Sequence, residues 1–93
     1  MSNTLTLLGD ATLYDVEALY GQIQSFLAAQ LAKADQLILD LGQLQSIDAS
    51  FLQLLLALRL DNSIPKHKLK IINLSDDARE KAKAIFMVEI ASL

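Results

Sequence analysis

The residues whose types and spacing could do chemistry lie at one junction of the chain. An apolar run ends at Asp40, a short polar loop follows, and Asp48 and Ser50 stand at the start of a leucine-rich segment. If Asp48 caps a helix there, Ser50 falls in the first turn, where backbone amides lack partners within the helix. A phosphate on Ser50 would meet the positive end of the helix dipole, so it could be added with little cost to the fold. The junction indicates a phosphorylation and protein-contact site, with an ordinary solvated serine as the alternative.

The sequence contains none of the common catalytic arrangements. His67 is the single histidine and there is no cysteine, so neither a metal site nor a Ser-His-Asp arrangement can be built around it. Asp40 is similar to the phospho-acceptor of response-regulator receivers, but Asp10 and Asp15 are not the adjacent acidic pair that binds Mg²⁺ in such proteins. The glycines are isolated and form no phosphate-binding loop: Gly9, Gly21 and Gly42. We therefore expect no enzyme activity and no cofactor, and we expect Asp40 to accept hydrogen bonds from loop amides.

Composition narrows the class of protein. A length of 93 residues predicts one domain over residues 1–93, and a formal net charge of -3 argues against nucleic acid, whose binding surfaces are basic. Without cysteine, a signal-like N-terminus or an apolar run near the ~20 residues that cross a bilayer, we expect a cytoplasmic protein with no membrane insertion. One basic cluster is interpreted as the solvated side of an edge or as the start of a strand, with a phosphate or membrane-surface patch as the alternative: Lys66, His67, Lys68 and Lys70.

The order of elements predicts an α/β fold. Apolar spacing and turn residues predict strands near 5–8, 36–41 and 69–74, with Gly9 and Asp10 as a turn, and helices near 16–32, 49–60 and from 76 to the mid-80s. Asp15 is expected to cap the first helix. Residues 85–93 are predicted to form a final helical turn or a docking tail. The continuously apolar run at 36–41 predicts a strand buried on both faces. We expect a mixed sheet of about four strands with helices packed mainly on one side.

The helix after Ser50 is apolar nearly all round. At ~100° per residue, Leu52 and Leu55 lie on one face, while Ser50, Gln53 and Ala57 lie together on the opposite one. Four leucines flank that outer side, and the sheet cannot bury all of them: Leu54, Leu56, Leu58 and Leu60. Either neighbouring helices cover the remainder, or an apolar strip beside Ser50 receives a partner.

Three segments together resemble the STAS domain family of anti-anti-sigma factors and sulphate transporters. Residues 37–41, then Ile47-Asp48-Ala49-Ser50, then the leucines of 52–58 are similar to the family's apolar strand ending in Asp, its Asp-Ser-Ser or Asp-x-Thr loop and its Leu-rich helix. Leu8-Gly9-Asp10 followed by Leu13, and residues 69–75, are similar to neighbouring elements of the family. The resemblance covers nearly the whole chain.

The resemblance implies that Ser50 holds the family's phosphorylatable position, where an anti-sigma kinase modifies the serine and a phosphatase restores it. The chain departs from the family at Phe51, where a glycine is usual; the ring implies a narrower approach for a kinase, a different partner, or an unmodified serine. We therefore expect a switchable, bacterial protein-binding module, as a monomer or weak homodimer. The predicted partner-binding residues, with Asp48 acting as a cap, a contact or both, are Asp48, Ala49, Phe51, Gln53, Leu54 and Ala57.

Two other functions remain open at this point. Some stand-alone STAS proteins similar to this chain sit on the ATPase of a lipid-transport ABC complex without a switch, and Phe51 and the surplus leucines favour such a constitutive subunit. A domain that binds a nucleotide or a lipid is the third alternative, which the lack of pocket-forming glycines and of a basic clamp disfavours. The expected partner is thus an anti-sigma kinase-like protein or a transport or signalling protein.

Overall fold

Strands and helices alternate along the chain in the computed structural model, which describes residues 3–12, 14–65 and 67–86. Leu13, Lys66 and the part of the predicted apolar tail beyond residue 86 lie outside the described residues. The elements in chain order are β1 (Thr4–Thr6), β2 (Gly9–Ala11), α1 (Val16–Gln30), β3 (Leu37–Asp40), β4 (Leu44–Ile47), α2 (Ala49–Leu60), β5 (Leu69–Ile72) and α3 (Asp76–Phe86).

The strands form two small parallel sheets, which confirms the α/β class and refines the expected arrangement. The order of the first sheet is β1-β3-β5, and β2 pairs with β4 in the second. The described pairs are parallel rather than mixed because α1 and α2 each return the chain to the same end before the next long strand. Strand β4 was not predicted, since its four residues include exposed Gln45 and Ser46. The predicted turn at Gly9 and Asp10 lies instead in β2, where the register shifts between these two residues and Gly9 has a φ of 89°.

One face of the three-stranded sheet carries the core. Leu37 and Leu39 of β3 are buried, whereas Ile38 and Asp40 on the other face are only half-buried. Leu39 is in register with Leu5 on one side and with Ile71 on the other, so the inner face is apolar across all three strands. The expectation of burial on both faces is therefore wrong. All three helices contribute to one buried cluster with this inner face, which leaves no helix layer for the outer face among the described residues.

The helices pack by apolar residues at helical spacing. Leu19, Ile23 and Leu27 are the buried residues of α1, and Ala78 and Ala82 are those of α3, which lets α3 approach the core closely. Within the described part of the chain, no helix combines the length and the apolar character that a bilayer crossing requires.

Helices α1 and α3 begin in different ways. Ser75 caps α3, because its Oγ accepts a hydrogen bond from the Ala78 amide at 3.2 Å. Asp15 occupies the N-cap position of α1 but makes no side-chain capping bond. Instead, the amides of Asp15 and Val16 both donate to the carbonyl of Thr12, at 3.0 and 2.9 Å, so a backbone turn begins this helix.

Candidate functional site

The start of α2 is fixed by Asp48. The Phe51 amide donates to Asp48 Oδ1 at 3.2 Å, which is the N-cap bond expected from the sequence. The Asp48 amide also donates to the Ala11 carbonyl at 3.0 Å, so the beginning of α2 is tied to β2. Ser50 is consequently the second residue of the helix, and it is half-buried.

Phe51 lies in the core and not on the partner surface. Its exposed fraction is 0%, and it belongs to the same buried cluster as Leu52 and Leu55. The assignment of Phe51 to the partner-binding set is therefore corrected: the ring faces the sheet and does not narrow the approach to Ser50. The sequence carried a signal for this, since Phe51, Leu55 and Leu58 are spaced by four and three residues on one helix face.

The outer face of α2 is less apolar than the sequence suggested. Ala49, Gln53 and Ala57 are exposed, while Leu54 is half-buried. Of the other three flanking leucines, Leu58 is buried, Leu56 is half-buried and Leu60 is 59% exposed. Neighbouring elements thus cover part of the predicted strip, and an apolar surface remains at Leu54 beside the small side chains.

An apolar cavity of about 370 Å³ lies between α1 and α2 at their N-terminal ends. It brings Ser50 together with three predicted contact residues, Gln53, Leu54 and Ala57, whereas Asp48 and Ala49 do not line it. The contribution of α1, which supplies Val16, Glu17 and Tyr20, was not predicted from the sequence. Tyr20 fits the apolar spacing of α1, yet it is 44% exposed where it lines this cavity.

Asp40 has a structural role at the ends of β3 and β5. Its Oδ1 accepts hydrogen bonds from the Gly42 amide at 2.9 Å and from Asn73 Nδ2 at 3.0 Å, as expected for an acid that binds loop amides. These two bonds, the amide bond first, hold the pKa of Asp40 below its usual value. A Cβ at Gly42 would lie 3.1 Å from Asn73 Cβ, and Asn73 itself has a φ of 62°, so both positions are constrained by this contact.

A second, polar cavity of about 490 Å³ lies next to this contact, between β4 and the start of α3. Three of the polar groups along it are engaged in the fold: Asn73 binds Asp40, Ser75 caps α3, and Lys81 Nζ donates to the Ile47 carbonyl at 3.3 Å. No cluster of His, Cys, Asp or Glu side chains that could hold a metal ion occurs in the described ranges. The apolar groove at Ser50 is the better candidate site, because it brings Ser50 together with three of the predicted contact residues.

Comparison of the sequence with known families identifies the class of protein to which this fold belongs. The family profile described as "Mlab, STAS domain" matches residues 2–86, so the chain belongs to the STAS domain family, and the resemblance drawn from residues 37–58 is confirmed. STAS domains are generally non-enzymatic modules that mediate protein–protein interactions. Neither a curated protein nor a solved structure matches the chain.

Proposed function

We propose that this chain is a switchable protein-binding module of the anti-anti-sigma-factor type, whose partner docks on the groove between α1 and α2. The observation that carries the proposal is the apolar cavity lined by Ser50, Leu54 and Ala57 of one helix and by Val16 and Tyr20 of the other. A partner that fills it would remove apolar surface from water, which is the main favourable term in most protein association.

The shape of the groove favours a protein over a small ligand. It is shallow, and small side chains at Ser50 and Ala57 allow a partner backbone to approach closely. Tyr20 stands half-exposed at its edge and offers an aromatic contact of the kind that is enriched at interfaces. Leu54, half-buried, supplies the apolar centre.

Phosphorylation of Ser50 is the proposed control. A phosphate carries about two negative charges at neutral pH, and a partner seated on the groove would have to desolvate them. Glu17 lines the same cavity, so the added charge would also lie near a like charge. The fold itself would tolerate the group, because the first turn of α2 presents its positive dipole end there.

The test is capture from a lysate of the native host with the wild-type chain and with Ala57→Arg as baits. Ala57 is exposed, so the variant should fold, and the charge in the groove should abolish capture of the partner. Ala84→Arg places the same side chain at an exposed site of α3 away from the groove, and it should capture the partner normally. Equal capture by both variants would show that the binding surface lies elsewhere.

A constitutive subunit of a lipid-transport ABC complex is the second candidate function. The description of the matching family names Mlab, and the glycine usual after the phosphorylated serine is replaced by the buried Phe51. In that case the same groove would bind an ATPase subunit with no switch. A gene neighbourhood with a kinase-like ATPase supports the first function, and an ABC transporter operon supports the second. Phosphate on Ser50 in protein purified from its host would exclude the constitutive function.

A further inference from the structure

We propose that the occupant of the groove between α1 and α2 is an amphipathic helix of the partner whose apolar ridge is flanked by lysine or arginine side chains. This inference rests on the proposed function and adds the chemistry of the docking element. The apolar ridge would cover half-buried Ser50, so a phosphate there would have to be desolvated against apolar side chains and would still weaken binding. The flanking cations would lie at the exposed margins, beside Glu17 and Asp61. Three observations carry it: the groove continues along both helices, its walls suit a helix, and its charged positions are all acidic in the described residues.

The groove continues beyond the cavity at Ser50. A small cavity of about 60 Å³ shares Tyr20, Leu54 and Ala57 with it. Another cavity, of about 210 Å³, shares Gln24 and Asp61 with this small cavity. It ends at the C-terminal end of α1, where Leu31 and Ile64 line it. The three cavities thus form one channel along α1 and α2. Since the 12 residues of α2 extend ~18 Å at ~1.5 Å per residue, a partner helix of about three turns would fill it.

The walls of the groove suit a helix better than an extended strand. Both walls are helices whose backbone groups bond internally, so they offer no free sheet edge to which a strand could add. Small or polar side chains line the channel at Ser50, Ala57 and Ala28, and larger ones stand beside them at Tyr20 and Leu54. A third helix can place anchors at every third or fourth residue between such walls.

The charge of the groove selects a basic partner. Among the described residues that line the three cavities, the charged ones are Glu17 at one end and Asp61 at the other, and both are exposed. Hydrogen bonds from the Ser63 hydroxyl and then the Ser63 amide hold the pKa of Asp61 below its usual value, so this carboxylate is ionised at neutral pH. Lys68 approaches one end of the channel, but its Nζ donates to the Leu31 carbonyl at 3.2 Å and is not a lining group.

A second copy of this chain is a poorer occupant. Its formal net charge is -3, and an interface formed by the same groove on both copies would bring the acidic ends of the two grooves near one another. Repulsion between the acidic groups would make such an interface unfavourable at low salt, whereas the same acidic groups would attract a basic helix.

The experiment uses three 18-residue peptides and the ¹⁵N-labelled full chain. Two peptides share a leucine and alanine ridge and differ only in lysine or glutamate at the flanking positions; the third is the lysine peptide scrambled so that no ridge forms. In NMR titrations we expect the lysine peptide to bind at least tenfold more tightly than the other two, with shifts along residues 16–31 and 50–61. The preference should weaken as salt is added, because the flanking charges are exposed.

Substitutions test whether the preference for the lysine peptide arises at the groove. Glu17→Lys combined with Asp61→Lys should transfer the preference to the glutamate peptide, and Ala57→Arg should remove binding of both. Asp35→Lys combined with Glu80→Lys makes the same change of net charge at exposed sites outside the groove and should leave the preference intact.

The proposal is overturned if the scrambled or glutamate peptide binds as well as the lysine peptide, if none binds, or if the shifts lie outside the groove. A wild-type dimer whose formation is blocked by Ala57→Arg would likewise overturn it in favour of a second copy. These results are distinct from failure of the proposed function, which is measured by lysate capture. If capture depends on Ala57 but no charge preference exists, only the chemistry of the occupant is wrong.

Discussion

Two side chains at the start of α2 divide the roles that the sequence placed there. Asp48 stabilises the helix end through its bond to the Phe51 amide, and Ser50 lines the same groove as Glu17 of the neighbouring helix. The acid that shapes the site and the hydroxyl that could be modified are thus different groups. Substitutions at the two positions should therefore affect different measurable properties, stability for Asp48 and binding for Ser50.

Replacement of Ser50 should change partner binding with little change in stability. Ser50→Ala should preserve the fold and most of the affinity, whereas Ser50→Asp should weaken binding only partly, because it adds one charge where phosphate adds nearly two. Both should unfold within about 1 kcal/mol of wild type, as is usual for such surface changes. Ser25→Asp, an exposed site elsewhere on α1, is the matched control and should bind normally in calorimetric titration. Wild-type affinity for Ser50→Asp would contradict the switch.

Replacement of Asp48 should change stability. Asp48→Ala removes the N-cap acceptor and is expected to lower the free energy of unfolding by about 1 kcal/mol. Asp48→Asn keeps an oxygen that can accept the bond from the Phe51 amide, so it should unfold close to wild type in urea. An equal loss for both variants would mean that the charge of Asp48, and not the cap, stabilises α2.

At the scale of elements, β3 determines where the core lies. Its alternating burial, with Leu37 and Leu39 inside and Ile38 and Asp40 half-exposed, shows that the sheet has one covered face. The helices that cover this face also create the groove, because α1 and α2 must both contact the sheet while leaving space between their outer surfaces. The proposed binding surface is thus a consequence of how the helices share one layer.

The two faces of β3 should respond differently to the same substitution. Leu39→Asp should unfold the chain, because an unpaired buried carboxylate costs several kcal/mol. Ile38→Asp, one residue away on the half-buried face, should leave a folded chain with reduced stability. Dispersed NMR spectra for both variants would contradict the assignment of the inner face.

Arg59 of α2 is a buried cation with few partners. Its Nη1 donates to the Leu69 carbonyl at 2.5 Å, while its Nε is buried without a hydrogen-bond partner. Burial lowers the pKa of the guanidinium by desolvating its charged form. Arg59→Met should unfold within about 1 kcal/mol of wild type, because it keeps the apolar stem and removes a buried charge. Arg59→Ala should lose about 2 kcal/mol more in denaturant titration, since it also leaves a cavity.

At the scale of the whole molecule, one contact holds together the loops that leave two adjacent strands of the first sheet, β3 and β5. Asp40 accepts bonds from Gly42 in its own loop and from Asn73 after β5, and it does so as a carboxylate. Its pKa is therefore lowered in the folded state below its usual value of 3.8, and Asp61 is shifted in the same direction by Ser63. Both contribute stability that depends on pH.

The sign of this dependence follows from the lowered pKa values. The contribution of each carboxylate is fully present above the unfolded value of about 3.8 and is lost as the pH falls below it, through the folded value. Asp40→Asn can keep both hydrogen bonds, so its stability should fall less steeply with acid than that of wild type. Asp35→Asn, in the connection before β3, is the control. Urea titrations between pH 5 and pH 2 measure the difference, and parallel curves for wild type and Asp40→Asn would contradict it.

Parts of the fold and of the site could be predicted because their signals are local. The cap at Asp48, the apolar spacing of Leu52 and Leu55 and the loop bonds of Asp40 depend on residues near one another in sequence. Strand β4 was missed because its pairing with β2 connects residues more than thirty positions apart, with only Leu44 and Ile47 apolar. Phe51 was misplaced because the family comparison treated it as a substituted glycine, while its own helical spacing already pointed inward.

The sequence by itself determined the alternation of strands and helices, the family and the position of Ser50 in the first turn of a helix, since caps and periodic spacing act over a few residues. Only the tertiary structure decided which face of β3 is covered, that Phe51 is buried, and that Tyr20 and Glu17 stand across a groove from Ser50. The physical reason is that these features depend on how α1 and α2 share the inner face of the sheet, and that is settled by packing between segments distant in the chain.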